Sequence, residues 1–257
     1  MREVDSPGKI YWNRFPSRAR ALSCCPMARE ISASLPRRRI GVPRSRRRAA
    51  RQVASAIEPG MRVALTTHVN ADGDGVGSEI GLWHLIKARG ALPVIVNPTP
   101  FPPRYQFLLE DADGADRSNR AVKELERADL VVVLDISDLG RLGHLAQRIE
   151  GLKVPVACVD HHQSNGSLPD GPRFVDAAAC ATGELVHDLA RVAKWDLPQV
   201  AAQALYVAIL TDTGGFRFSN TSPRALHVAS HLLAHGLDPE QIYTQVYASA
   251  QIGRAHV

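Results

Sequence analysis

The sequence is short of the features that mark membrane, secreted and disulfide-rich proteins. Only 5% of its 257 residues are aromatic, and no apolar run approaches the length that a bilayer-spanning helix needs. The charged residues near the start are followed by no hydrophobic stretch, so we expect no secretory signal. The four cysteines do not have the spacing of a zinc knuckle. We therefore expect a cytoplasmic protein without disulfides.

Positive charge is concentrated in the first fifth of the chain. Residues 1–51 carry 14 Lys and Arg against 3 Asp and Glu, a balance of +11, whereas the other 206 residues carry 17 against 23, a balance of −6. A mildly acidic remainder does not suit a duplex-DNA-binding protein, which neutralises many phosphates. It is compatible with a small anionic substrate held through metal ions. A Rossmann cofactor protein is disfavoured, because no G-x-G-x-x-G follows the first predicted strand.

Residues 1–50 are predicted to form a disordered basic tail. They contain five prolines and two Arg-Arg-Arg runs, at 37–39 and 46–48, with no sustained periodicity. One interpretation is a nucleic-acid-binding arm. We favour the other, that the tail is solvated or is translated sequence upstream of the native start.

The folded domain is predicted over residues 51–251. Residues 252–257 (IGRAHV) match the translation of a common sequencing-library adapter. We therefore expect these six residues to be non-native read-through, with the natural protein continuing beyond Gln251. A native stop codon after Val257 would refute that expectation.

Within this domain, short apolar runs alternate with helical segments. Four runs are near-continuous and a fifth is weak: 62–67, 92–97, 130–135, 155–160 and 173–176. Such runs are typical of parallel strands that are buried on both faces. The predicted fold class is α/β, with a mostly parallel five-stranded sheet covered by helices. The C-terminal part is predicted to be helical, including a helix from 182 to 195 with Thr182 as its N-cap.

Acids and histidines cluster in four segments at the ends of predicted elements. The segments are His68-Val-Asn-Ala-Asp72-Gly-Asp74, Asp135, Asp160-His161-His162 and Asp212. A single Asp at a strand end is often only a turn residue. However, the carboxyl ends of parallel strands meet at one edge of a sheet, so we expect these segments to form one site.

The chemistry of these side chains indicates divalent cations. Gathered carboxylates repel one another unless cations compensate their charge. Oxygen ligands with a minority of imidazoles suit Mn²⁺ or Mg²⁺ better than a thiolate-preferring metal. Because the ligands exceed what one ion needs, two ions bridged by a shared carboxylate are predicted.

These segments resemble the four motifs of the DHH phosphoesterase family. The matching runs are His68–Ser78, Asp135, Asp160–His162 and Thr211–Gly214. The family includes RecJ-like nucleases, oligoribonuclease/pAp phosphatases, cyclic-dinucleotide phosphodiesterases and family II pyrophosphatases. The run 211–221 (TDTGGFRFSNT) most resembles the oligoribonuclease/pAp phosphatase branch. The similarity covers about residues 50–250, so it identifies 51–251 as a DHH catalytic domain.

The resemblance implies a role for each side chain. One ion would be held by His68, Asp72 and Asp135, and the other by Asp74, Asp135, His161 and Asp212. His162 would face the phosphate as a hydrogen-bond donor or proton source. Asp160 would orient the neighbouring histidine. Arg217 is a candidate phosphate contact, with a surface charge as the alternative.

The activity implied by the resemblance is hydrolysis by a metal-activated water. The substrates would be short single-stranded oligoribonucleotides, 3′-phosphoadenosine 5′-phosphate (pAp) or both. The cofactors would be two Mn²⁺ ions, with Mg²⁺ as the alternative. Neither membrane nor duplex DNA is expected as a partner, and self-association is left open.

Two other functions are compatible with the sequence. The first is a cyclic-dinucleotide phosphodiesterase or pyrophosphatase with the same metal site. The second is a non-catalytic RNA-binding module that acts through the Arg-rich arm. Members of the oligoribonuclease branch carry a smaller C-terminal domain, DHHA1, that binds substrate, and no segment after Gln251 supplies it. This departure from the family pattern leaves the substrate specificity and the turnover of this chain open.

Overall fold

The computed structural model describes residues 41–163 and 167–248. The predictions for residues 1–40 and 252–257 lie outside the described residues. The helices and strands are α1 (Arg44–Ser55), β1 (Arg62–Thr66), α2 (Gly73–Ala88), β2 (Leu92–Ile95), α3 (Ala121–Leu125), β3 (Leu130–Leu134), α4 (Ala146–Glu150), β4 (Val156–Asp160), β5 (Arg173–Val175), α5 (Thr182–Ala193), α6 (Gln199–Asp212), α7 (Pro223–Leu233) and α8 (Pro239–Tyr243). Three 3₁₀ turns, Pro103–Leu109, Ser118–Arg120 and Leu139–Leu145, and a π-helical turn, Thr244–Ala248, complete the set.

The five strands form one parallel sheet in the order β2-β1-β3-β4-β5. This confirms the predicted α/β class and the number of strands. After β1, the chain forms β2 on one side of β1 and then β3 on the other side of β1. The strand order therefore reverses between β1 and β3, which is where ligands bind in open α/β sheets.

The hydrophobic core lies on both faces of the sheet. Leu65, Val132 and Val159 point to one face, where α1, α2, α5, α6 and α7 cover them. Ala64 and Val131, their neighbours along the strands, point to the other face and pack against α3, α4 and the 3₁₀ turn Leu139–Leu145. This alternation follows the two-residue period of a strand. In the part of the chain that the structure describes, no helix is long and apolar enough to cross a membrane. The cytoplasmic location stays a prediction.

Helices α2 and α6 approach each other closely at Gly77. A Cβ atom on Gly77 would lie 2.6 Å from the carbonyl oxygen of Ala204 and 2.9 Å from the amide nitrogen of Ala208. Only glycine permits this separation. The close packing brings the first turn of α2, with Asp74, to the last turn of α6, with Asp212.

The prediction that residues 1–50 form a disordered tail is wrong for residues 44–50. Those residues are the first turns of α1, whose Ala50 and Val53 side chains are buried in the core. Arg46, from the second Arg-Arg-Arg run, is only 3% exposed. Local composition does not reveal this position, because the carboxylates that neutralise Arg46 lie more than 100 residues further along the chain.

Candidate metal centre

Asp72 ends the loop that follows β1 and caps the N-terminus of α2. Its Oδ1 accepts hydrogen bonds from the amides of Asp74 (3.0 Å) and Gly75 (3.1 Å), which satisfies two of the free N–H groups of the first turn. Burial opposes ionisation of Asp72. The neighbouring His68 ring and the two amides outweigh burial and lower the pKa of Asp72 to about 2. The carboxylate is therefore charged at neutral pH.

His68 is oriented by its own backbone. Its Nδ1 lies 2.8 Å from the carbonyl oxygen of Val69, and a carbonyl only accepts, so Nδ1 is the protonated nitrogen. The free Nε2 faces Asp135 and Asp72, whose nearest oxygens are 3.7 and 3.8 Å away. The ring thus presents a lone pair to two carboxylates, the arrangement of a metal-ligating histidine.

Asp74 is a buried carboxylate at the start of α2. It accepts hydrogen bonds from three donors: the amide of Thr182 (2.6 Å), the amide of Gly183 (3.0 Å) and the hydroxyl of Ser78 (3.1 Å). Burial and the nearby carboxylates of Asp135 and Asp212 raise the pKa of Asp74 well above its usual range. The amides of Thr182 and Gly183 offset only part of this effect, so a cation would stabilise the ionised form of Asp74.

Asp135 follows β3 directly and lies at the centre of the group. Its backbone is left-handed (φ 59°), a conformation that Asp tolerates better than most residues and that is common at functional sites. The side chain is 2% exposed. Burial, and then the charge of Asp72, raise its pKa.

Thr182 supports two of these carboxylates at once. Its amide donates to Asp74 and its hydroxyl donates to Oδ1 of Asp135 (3.0 Å). The prediction of Thr182 as a helix N-cap is wrong, because Ala181 occupies that position and makes no side-chain cap hydrogen bond. The hydroxyl is used by Asp135 instead.

His162 and Asp160 form a hydrogen-bonded pair at the end of β4. Nδ1 of His162 lies 2.8 Å from Oδ1 of Asp160, and the other Asp160 oxygen accepts from the amide of Ser137 (3.0 Å). The hydrogen bond to Asp160 raises the pKa of His162. Burial opposes ionisation of Asp160, but the contacts with His162 and the Ser137 amide lower its pKa. Asp160 thus orients His162 and stabilises its protonated form.

His161 has the surroundings expected of a metal ligand. Its buried Nε2 has no hydrogen-bond partner among the described residues. Carboxylate oxygens of Asp74, Asp135 and Asp212 surround it at 3.5, 3.6 and 3.8 Å. These separations are long for hydrogen bonds but suit ligands around one ion, which sit roughly 2 Å from a metal and roughly 3 Å from each other.

Asp212 ends α6 and completes the cluster. Its Oδ2 accepts from the side-chain amide of Asn220 (3.1 Å). Burial raises the pKa of Asp212, with His161 opposing the effect. Asn220 was not foreseen from the sequence, since a single Asn in a turn carries no recognisable signal.

The structure brings all the predicted ligands together. Three overlapping groups could each hold a metal ion: His68, Asp72 and Asp135; Asp74, His161 and Asp212; and Asp135, His161 and His162. Arg217 belongs to none of them. It lies on the turn after α6, exposed, with its Nε donating to the carbonyl oxygen of Gly214 (2.7 Å).

A second layer of charge lies behind the cluster and was not foreseen. Two buried carboxylates of α5, Glu184 and Asp188, are each paired with both Arg46 and Arg224. Glu184 also accepts from the amide of Cys180 (3.0 Å), two residues before Thr182. The i, i+4 spacing of two acids on an otherwise apolar helix was the available signal, since buried acids require partners.

The fold and the side-chain cluster define an α/β protein with a carboxylate- and imidazole-rich site that could hold divalent cations. The profile described as "DHH family, N-terminal domain" matches residues 62–209. The chain belongs to this family, which confirms the resemblance drawn from its motifs.

Relatives in sequence are named "Bifunctional oligoribonuclease and PAP phosphatase NrnA". The protein from Thermus thermophilus is 34% identical over 192 residues, which is 72% of this chain and 53% of the relative. The Mycoplasma genitalium protein is 30% identical over 181 residues, covering 70% of this chain and 55% of the relative. The chain spans about half the length of these curated relatives.

Solved structures share the fold. An exopolyphosphatase-related protein from Bacteroides fragilis has a TM-score of 0.72 at 24% identity, over 78% of this chain and 60% of that one. A putative family II inorganic pyrophosphatase from Methanococcus jannaschii has a TM-score of 0.52 at 18% identity, over 71% of this chain and 60% of that one. At these identities the likeness establishes the fold alone.

Proposed function

We propose that the chain is the metal-binding catalytic domain of a phosphoesterase that hydrolyses short oligoribonucleotides, pAp or both. The observation that carries the proposal is the buried, unpartnered Nε2 of His161 facing three carboxylates. Such a concentration of negative charge, with pKa values raised by burial, is stable when cations occupy it.

The distances support a division of the ligands between two ions. His68, Asp72 and Asp135 would hold one, and Asp74, His161 and Asp212 the other. Asp135 would bridge them, because its Oδ2 faces His68 and its Oδ1 faces His161. Mn²⁺ or Mg²⁺ suits this oxygen-rich donor set. Ions bound here would supply a water of lowered pKa and would neutralise charge on the phosphoryl oxygens.

His162 is the side chain that would transfer a proton. Asp160 fixes its Nδ1, so Nε2 is the nitrogen that is free to meet a substrate, and the side chain is 34% exposed. The raised pKa keeps His162 protonated to higher pH than an ordinary histidine. It would therefore donate a proton or hydrogen bond to the phosphoryl group or the leaving oxygen.

The substrate class is inferred from the relatives. Their printed name couples an oligoribonuclease to a PAP phosphatase, and the family match over residues 62–209 includes the motifs of His68, Asp135 and His161. The RNA-binding module is the weaker alternative. Arg46 of the Arg-rich arm is buried in ion pairs, so it is not available to nucleic acid.

The test separates metal binding from turnover. Mn²⁺ titration of the metal-free protein by calorimetry should give about two sites per chain, and His161→Ala should remove one. Turnover is then measured with Mn²⁺ on pAp, di- to pentaribonucleotides, cyclic dinucleotides and pyrophosphate. Hydrolysis of pAp or the oligoribonucleotides supports the proposal, whereas preference for either of the others favours the alternative enzymes. A folded protein that takes up no Mn²⁺ would refute it.

A further inference from the structure

An exposed aromatic ring lies on the turn that follows Asp212. The side chain of Phe218 is 58% exposed, more than any other large hydrophobic side chain in the described part of the chain. It sits on the turn between α6 and α7. Phe216, two residues earlier, is half-buried, with its ring 6.1 Å from that of Tyr206. The turn thus directs the Phe216 ring into the protein and the Phe218 ring into solvent. A ring in solvent forgoes the free energy that burial of its apolar surface would supply.

The Phe218 ring is held in a fixed place. Its backbone amide donates to the carbonyl oxygen of Thr213 (3.0 Å). A Cβ atom on Gly214 would lie 2.5, 2.6 and 2.6 Å from three ring carbons. Because these distances are nearly equal, a face of the ring, rather than its edge, covers the glycine. The opposite face is left for a ligand.

Gly214 is required here for two reasons. Its φ of +57° lies in the left-handed region, which glycine adopts at least cost. In addition, any side chain would displace the ring. The same residue also binds Arg217, because its carbonyl oxygen accepts from the Arg217 Nε (2.7 Å). One glycine therefore fixes both a ring and a guanidinium.

The turn that carries this ring is tied to the metal centre at both ends. It begins at Asp212, and Asn220 closes it by donating to both the carbonyl and the carboxylate of Asp212 (3.1 Å each). Arg217 is exposed, and in residues 41–163 and 167–248 it forms no ion pair. A metal-binding carboxylate, an unneutralised guanidinium and a free ring face thus follow one another within seven residues.

We propose that Phe218 is the platform on which a nucleobase of the substrate stacks, with Arg217 contacting a phosphate of the same nucleotide. The inference rests on the proposed phosphoesterase function and specifies its substrate as a nucleotide rather than a bare phosphate. Stacking on an aromatic side chain tolerates every base, since each base has a π face. The platform therefore selects for the presence of a base and not for its identity.

The experiment compares Phe218→Ala, Phe218→Trp and the control Leu226→Ala in Mn²⁺-loaded protein. Leu226 is similarly exposed (51%) and lies on α7, away from the turn. Because the loaded protein is expected to hydrolyse both ligands, initial-rate assays measure the KM of pAp and of a base-free ribose 3,5-bisphosphate. Loss of one stacking contact corresponds to about 5- to 150-fold weaker binding. Phe218→Ala should raise the KM of pAp by that factor and leave the KM of the base-free ligand unchanged.

The two other variants sharpen the result. Phe218→Trp should retain pAp affinity, and its added indole fluorescence should be quenched by pAp. Leu226→Ala should match wild type for both ligands. An equal loss for both ligands in Phe218→Ala, no loss for either, or no pAp binding by Mn²⁺-loaded wild type would overturn the platform.

Failure of the platform and failure of the proposed function are distinguishable. If wild type binds Mn²⁺ and hydrolyses pAp and the base-free bisphosphate equally well, the phosphoesterase stands and the platform is rejected. If wild type takes up no Mn²⁺, the proposed function itself is rejected, and the platform with it.

Discussion

Arg46 of α1 and Glu184 of α5 form an ion pair in which both side chains are almost completely buried. The pair couples the first helix of the domain to the loop that supports the metal centre, because Glu184 also holds the Cys180 amide. Removing one partner of a buried ion pair typically costs about 3–5 kcal/mol. We therefore expect Arg46→Ala to lower the free energy of unfolding by about that amount.

The control for this prediction is Arg48→Ala. Arg48 is exposed on the same helix, so its removal should change the unfolding free energy by no more than about 0.5 kcal/mol. Urea unfolding of both variants checks the difference. Equal stabilities would show that the network behind the metal centre does not hold α1 to the fold.

The hydroxyl of Thr182 should matter for metal binding. Thr182→Val keeps the amide that serves Asp74 but deletes the hydrogen bond to Asp135. Loss of a partner that orients a metal ligand typically costs about 10–100-fold in metal affinity. Thr182→Ser keeps a hydroxyl and is expected to bind Mn²⁺ like wild type. Calorimetric titration measures the Mn²⁺ affinity of the two variants. Equal Mn²⁺ affinities would contradict a role of the Thr182 hydroxyl in orienting Asp135.

Asp135 should be indispensable for both ions. Asp135→Asn keeps the shape of the side chain but removes the charge that would bridge the two ions, between His68 and His161. We expect the Mn²⁺ stoichiometry to fall and turnover of pAp to drop at least about 100-fold, since a bridging carboxylate neutralises both ions. Asp138→Asn, at a nearby acid that belongs to no metal-binding group, is the control. Two Mn²⁺ ions bound with unchanged affinity would contradict the bridging role.

We predict that Glu79, which is not a predicted metal ligand, makes the stability of the fold depend on pH. It is fully buried on α2, and burial raises its pKa to about 8, with a hydrogen bond from Asn97 opposing the effect. The folded pKa lies above the unfolded value, so the folded state binds more protons and loses stability as pH rises between about 4.5 and 8.

Glu79→Gln tests this by removing the charge and keeping the acceptor for Asn97. In EDTA, the difference in unfolding free energy between the variant and wild type should shift in favour of the variant as pH rises through that window. Above the window the difference should stay constant. Urea unfolding at a series of pH values checks the trend. Parallel curves for the two proteins would mean that Glu79 is not protonated in the folded state.

The sequence predicted the sheet because the strands depend on local pattern. The runs 62–67, 130–135 and 155–160 each became a strand, shortened by one residue at one end. Asp135 lies outside β3 because its backbone is left-handed (φ 59°), and Thr67 lies outside β1, with its amide donating to the Asn97 side chain. The resemblance likewise predicted the ligands, since residue type and order along the chain survive without coordinates.

Only the structure revealed the residues that support the predicted ligands from distant positions in the sequence. Thr182 supports Asp135 across 47 positions, and Arg46 reaches Asp188 across 142. Phe218 was passed over because its exposure depends on how the turn folds over Gly214. None of these relationships has a local pattern.

Residue types and their order therefore determined the fold class, the family and the acids and histidines of the candidate metal centre. Tertiary structure alone decided which neutral and basic side chains complete the site, how Arg46 is buried and which ring faces solvent. The reason is physical: strand patterns and ligand types are local properties of the chain, whereas burial, charge compensation and exposure depend on segments that meet only after folding.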